Sequence, residues 1–410
     1  MTHASSDRAL TSARAIASDL AALASLAADP DRAWLQSLAK GAAGIALLHI
    51  ERAYAGLAGW DTAHAWLKTA TGGDITAADH AGLFFGAPAV AFALHAADGP
   101  GRYTRALVTL DTHIAALAHR RVSQAQARID RKTLPALAEF DLIYGLTGIG
   151  AYLLRHAPGG DALEQILRYL VRLTEPLRAD GETTPGWWTG HDPSFTSSPA
   201  FAGGHGNLGL AHGIAGPLAL LALAQRHGAV VDGHADAIGQ ICAWLDTWRQ
   251  EGDRGPWWPQ WITRDELRTR RPVQPGPLRP SWCYGTPGLA RAQQLAGIAT
   301  GDTARQHTAE HALACCLSDP AQLSQITDAS LCHGWAGLFQ TAWRAARDAR
   351  SPEITACLPH PTDRLIQHAR PDLAEGTGLL EGRAGLALAL HTAASTTPPA
   401  SGWDACLLIG

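Results

Sequence analysis

A short glycine pattern, repeated seven times, limits what this chain can become more than any other feature. Each copy has a glycine, two residues, usually a second glycine, and then an apolar run. The copies begin at Gly41 (GAAGIALL), Gly86 (GAPAVAFAL), Gly145 (GLTGIGAYLL) and Gly213 (GIAGPLALLALA), then at Gly285 (GTPGLARA), Gly334 (GWAGLFQTAW) and Gly382 (GRAGLALAL). Successive first glycines are 45, 59, 68, 72, 49 and 48 residues apart, room in each unit for a helical hairpin and its loops. Repeats of this length are built from stacked supersecondary units. Further helical stretches fall between the motifs, at Ala235–Trp248 and Thr303–Leu317 among others. Each unit therefore supplies a polar outer helix and an inner helix that is apolar nearly all round. Glycine has no Cβ, so it permits tight turns and close backbone approach where inner helices would crowd. Seven such starts predict an all-α chain, a closed α/α ring of seven helical hairpins, as a single domain over 1–410. The segment His119–Phe140 (HRRVSQAQARIDRKTLPALAEF) is basic and lies between the second and third motifs; it is the candidate small insertion.

Composition removes several classes of function. A formal charge of −4 offers no electrostatic footprint for nucleic acid. The longest apolar runs, such as Pro217–Ala224, are far shorter than the ~20 residues of a spanning helix, so no integral membrane segment is expected. The N-terminal stretch MTHASSDRALTSARAIASDLAAL has scattered charges and reads as an amphipathic helix rather than a signal peptide, which points to the cytoplasm. Seven cysteines, an odd number in a long chain, favour reduced thiols with metal or catalytic roles over a disulfide framework.

Chemistry-bearing residues gather at particular repeat starts: Asp141 and Tyr144 before Gly145, His212 before Gly213, Trp282-Cys283-Tyr284 before Gly285, and Cys332-His333 before Gly334. Ring closure would bring these together. Cys283, Cys332 and His333 offer two thiolates and an imidazole, a donor set suited to zinc. Three ligands leave a position open for catalysis; His212 as a fourth would make the site structural. Asp141 either caps the helix that follows it or pairs with a base. Cys242, Cys315, Cys316, Cys357 and Cys406 read as small core residues, and His205 as structural. The loops 186–206 and 252–282, rich in Gly, Pro and Trp, are expected to pack and to form the rim of a cleft.

The combination DLIYGLTGIG, LGLAHGIAG, WCYGTPG and CHGWAG closely resembles the LanC family of lanthionine-forming cyclases, from the first glycine motif to the C-terminal WDACLLIG. Ala89, where a second glycine is typical, is the departure, and it touches packing rather than chemistry. The resemblance implies an α/α toroid of seven hairpins and one zinc ion on Cys283, Cys332 and His333. It implies proton transfer through His212 and Asp141, and matches Arg279, four residues before Cys283, and the aromatic neighbours Trp282 and Tyr284. The candidate catalytic set is thus His212, Asp141, Arg279 and Tyr284. The implied reaction adds a peptide cysteine thiol to dehydroalanine or dehydrobutyrine. Arg279 or a histidinium would stabilise the enolate, and His212 would act as general acid. The implied partners are a dehydrated precursor peptide with its leader, a separate dehydratase and an export transporter. Two other readings of a LanC-like chain stay open, addition of glutathione to dehydrated residues and a non-catalytic zinc-stabilised peptide scaffold. A toroid glycosidase would need a carboxylate pair that the repeat starts do not supply.

Overall fold

The computed structural model describes residues 3–22, 32–99, 101–179, 181–369, 376–395 and 397–410. Among them are fourteen helices of ten residues or more: α1 (His3–Asp19), α2 (Ala42–Tyr54), α3 (Asp61–Ala70), α4 (Ala87–Ala97), α5 (Thr104–Asp130), α6 (Leu146–His156) and α7 (Asp161–Leu173), followed by α8 (Ala215–Arg226), α9 (His234–Trp248), α10 (Thr286–Thr300), α11 (Thr303–Leu317), α12 (Trp335–Asp348), α13 (Pro359–His368) and α14 (Arg383–Ala394). Each glycine motif opens one of these helices, and the helix is apolar nearly all round. In α4 every residue but His95 is buried, and in α8 the whole run Ala215–Ala224 is buried. The helices between them bury one face only. α7 turns Leu163, Ile166, Leu167, Leu170 and Leu173 inward, while Arg168 and Glu164 pair in the solvent at 2.5 Å. No helix among the described residues is long and apolar enough to cross a membrane.

The chain divides into two compact units: residues up to 114 with 326–408 and Gly410, and residues 115–325 with Ile409. In the first, α2 packs on α3, α4 and α14, and α12 packs on α13 and α14. α1 is the amphipathic N-terminal helix expected; Met1, Thr2 and Leu23 of that stretch lie outside the described residues. Its Ala9, Ala13, Ile16 and Ala17 form one buried stripe, and it covers α14. The last inner helix thus takes its outer partner from the start of the chain.

In the second unit, α6 packs on α7 and α8, α8 on α9 and α10, and α10 on α11. Six short strands join this unit: β1 (Leu177–Ala179), β2 (Glu182–Thr184), β3 (His205–Asn207), β4 (Gln250–Gly252), β5 (Gly255–Trp257) and β6 (Trp261–Thr263), paired antiparallel as β1–β2, β3–β6 and β4–β5. The β3–β6 pair ties the two Trp-rich loops together, with Trp187, Trp188, Trp257 and Trp258 buried beneath them. The basic segment 119–140 is the second half of α5 followed by a short helix, Leu137–Phe140. Its Arg121 and Arg128 are buried. Arg121 donates to the carbonyls of Tyr144 and Ala138, and Arg128 forks onto Glu139.

None of the seven inner helix starts has a side-chain cap. Their orphan N–H groups are served by backbone instead. The amides of Gly44, Gly288, Gly337 and Gly385 each donate to the carbonyl seven residues earlier, so the preceding loop folds back over the helix start. The second glycine makes room for that loop: a Cβ on Gly216 would stand 2.7 Å from the Leu210 carbonyl oxygen, and one on Gly288 would overlap that of Trp282.

Burial also sets a pH dependence. His49 donates from Nε2 to the Leu20 carbonyl inside α2, and His205 lies wholly buried against the His191 carbonyl. Desolvation lowers each imidazole to about 4. The unfolded chain binds these protons near 6.5, so stability is full above that pH and declines as the pH falls towards 4. Each histidine contributes up to about 3 kcal/mol to this decline. The denaturant midpoint should therefore fall between pH 7 and 4.5, and His49→Gln should flatten the slope. An unchanged slope in that variant would remove His49 from the account.

Candidate active site and metal centre

Backbone hydrogen bonds link neighbouring repeat starts two or three residues before their first glycines. In the 115–325 unit, the Leu142 amide donates to the Ala211 carbonyl at 3.0 Å, and the Leu210 and Ala211 amides donate to the Cys283 carbonyl at 3.0 and 3.3 Å. In the other unit, Leu38 donates to Phe84, Cys332 to Leu380, and Leu380 to Ala39. Within each unit the shared register of the motifs thereby becomes adjacency in space, which is why Asp141, His212 and Cys283, about 70 residues apart in sequence, meet.

Asp141 is fully buried, and its two oxygens do different work. Oδ1 accepts from the amides of Tyr144 and Gly145 at 2.6 and 2.8 Å, serving the start of α6. Oδ2 lies 2.6 Å from Nδ1 of His212. Of the two alternatives in the sequence, pairing with a base is present, while the other oxygen holds the turn before α6 without capping the helix. A carboxylate that accepts from Nδ1–H leaves Nε2 as the working nitrogen of His212. The imidazole is partly open to solvent, with Tyr144 stacked on it at 5.7 Å and Phe195 edge-on at 5.5 Å.

The loop before α10 turns sharply at Gly285, whose φ of +94° favours glycine. Ser281 Oγ accepts from the Tyr284 amide at 3.1 Å, donates to the Tyr284 carbonyl, and lies 3.6 Å from Cys283 Sγ. Cys283 is buried and Tyr284 half-buried. The Tyr284 hydroxyl accepts from Asn207 Nδ2 at 2.9 Å. Its ring lies over Gly209, where a Cβ would come within 2.6 Å of it. Trp282 is fully buried core, and Arg279 is half-buried on the approach to this loop.

Cys332 and His333 open α12, both half-buried. His333 Nε2 lies 3.5 Å from Asp328, whose other oxygen accepts from the Ser330 amide at 2.8 Å. The ligand atoms of Cys283, Cys332 and His333 all lie within 4.8 Å of one another, the only such group of three or more found among the described residues. His212 is not part of it.

The other cysteines divide. Cys242, Cys316 and Cys406 are buried as expected; burial pushes the Cys242 thiol up to about 11 and raises that of Cys316 further. Cys315 and Cys357 differ from the expectation of core residues, since both are only half-buried. Cys315 Sγ lies 3.6 Å from His311 Nε2, and a Cβ on Gly255 of β5 would come within 2.7 Å of it. Asn207, Asp328, Ser281 and Phe195 join the site without a signal in the repeat. Each sits in a loop or short strand before a motif, where neither periodicity nor spacing marks it.

The family model for lanthionine synthetase C-like proteins matches residues 33–408, and the chain belongs to that family. It is similar to the nisin biosynthesis protein NisC of Lactococcus lactis subsp. lactis, with 24% identity over 315 residues, 75% of this chain and 72% of that protein. The solved structure of a nisin cyclase superposes with a TM-score of 0.78 at 22% identity, covering 97% of both chains. The fold is thus the helical toroid class expected from the seven motifs.

Proposed function

We propose that this protein is a lanthipeptide cyclase, closing thioether rings by adding peptide cysteine thiols to dehydroalanine or dehydrobutyrine. Family membership supports the reaction class. The observation that carries the chemistry is the backbone clamp from Leu210 and Ala211 onto Cys283, which sets the His212–Asp141 pair beside a thiolate-bearing loop. Two sulfurs and one imidazole nitrogen are a donor set that fits zinc, and three protein ligands leave one position open. A zinc ion bound there would supply a positive charge that lowers the pKa of a substrate thiol, which otherwise is mostly protonated near neutral pH with a pKa of ~8.5. Asp328 orients His333 from outside the ligand set.

The protein's own residues then manage protons. Asp141 holds His212 with Nε2 facing outward, placed to take up the proton that the substrate thiol gives up and to deliver it to the α-carbon after sulfur has added at the β-carbon. Arg279 and Tyr284 are assigned to the developing enolate oxygen as cationic and hydroxyl groups. The substrate is a dehydrated precursor peptide carrying its leader, prepared by a separate dehydratase, with an export transporter downstream. The seven cysteines form no disulfide, which fits a cytoplasmic setting.

A cyclase gains rate by holding both partners in one peptide, at a high effective concentration. A dehydrated precursor that keeps its cysteines should therefore form rings without change of mass, even with millimolar glutathione present. Alkylation before and after the reaction reads out ring closure. Glutathione adducts, with the peptide's cysteines still alkylatable, would overturn the cyclase reading in favour of glutathione addition.

A further inference from the structure

Phe195 has φ +62°, a left-handed backbone that bulky residues avoid. The turn that forces it is well anchored. Asp192 accepts from the amides of Ser194 and Thr196 and from the Thr196 hydroxyl, and its backbone bonds Thr196 and Phe195. The strain leaves the phenyl ring 41% exposed, beside Tyr144 at 48%, with their centroids 5.7 Å apart. Both rings border His212, Tyr144 stacked and Phe195 edge-on. Strain of this kind persists where the surrounding structure over-determines it, and it gathers at functional sites. A pair of water-facing rings framing a partly open imidazole is built to be covered by an apolar group.

We propose that Phe195 and Tyr144 form an aromatic jaw that grips the side chain next to the reacting dehydroamino acid and prefers apolar residues there. The jaw determines specificity in the reaction proposed above and rests on that reading. Phe and Tyr suit the task because they are rigid and lose little conformational freedom on contact. Placing a carboxylate side chain against the two rings would strip its hydration without a partner. Phe195→Asn tolerates the left-handed backbone and removes the ring. It should therefore leave the melting temperature unchanged or raised, whereas a purely structural role for the ring would lower it.

Two linear peptides test this, each with one dehydroalanine and no cysteine, flanked by leucines in one and by aspartates in the other. Binding is measured by fluorescence anisotropy on the zinc-loaded full chain. The wild type should bind the leucine peptide about tenfold more tightly. Phe195→Asn and Tyr144→Ala should each bring the ratio within about twofold, and Phe195→Trp should keep it. Equal binding by the wild type, or an unchanged ratio in both ring-removing variants, overturns the jaw. Cyclisation of the intact dehydrated precursor by the wild type is run in parallel. A leucine preference without rings supports the jaw and removes the cyclase reading; rings without a preference do the reverse.

Discussion

Replacing Cys332 or Cys283 by alanine is expected to release the metal, from one zinc per chain to none, and to abolish cyclisation while the helices persist. The proposed site has three ligands, so losing one would leave two donors and no enclosing geometry. Without the metal charge a substrate thiol stays mostly protonated at pH 7. Metal activation of this kind is worth several kcal/mol, so the rate should fall by roughly a thousandfold or more. The helices should survive because the start of α12 is held by backbone rather than by the thiol: the Cys332 amide donates to the Leu380 carbonyl, and Gly337 to Ser330. Metal analysis with far-ultraviolet circular dichroism separates the outcomes. Full zinc occupancy in both variants would sink the ligand assignment. Lost helicity would instead assign the zinc a structural role.

His212→Asn should keep the zinc and lose the reaction by about 10²- to 10⁴-fold, the usual worth of a positioned acid or base. His212 lies outside the three-ligand group and spends Nδ1 on Asp141. Loss of zinc in this variant would restore the four-ligand structural reading. Asp141→Asn discriminates further. An amide keeps one oxygen for the Tyr144 and Gly145 amides, so the start of α6 should hold. Its NH₂ then faces Nδ1 of His212 and enforces the opposite tautomer, with the proton on Nε2. The fold should remain and cyclisation should fall within the same range. Asp141→Ala should in addition lose stability, because the buried Gly145 amide loses its acceptor at about 1–3 kcal/mol. Equal stability of the Asn and Ala variants would argue against Oδ1 holding the turn before α6.

The seven inner helices and their starts were legible from the sequence because glycine and apolar periodicity are local signals. The two middle glycine motifs at 213 and 285 have their next helices at His234–Trp248 and Thr303–Leu317, within a residue of the expected spans. The cysteines in register, Cys283 and Cys332, were likewise separable from Cys242 by position alone, since a repeat converts sequence phase into spatial place. Where a residue lay in a loop, the reading failed. Nothing in HDPSFT announces that Phe195 turns its ring towards His212. Cys315 looks like core on an alanine-rich helix, yet it is only half-buried.

The sequence by itself therefore determined the helical repeat, the phase that groups Asp141, His212, Cys283, Cys332 and His333, and the kinds of atom they offer. Only the tertiary structure decided how those atoms are used. It divided Asp141 between two amides and an imidazole, set Asn207 on the Tyr284 hydroxyl, and placed Asp328 behind His333. The physical reason is the range of the forces. Helix starts follow from steric and hydrophobic preferences of neighbouring residues. Hydrogen-bond partners 60 to 80 residues apart depend on the path of each loop, and that path is fixed only when the backbone carbonyls and amides of adjacent repeats have paired.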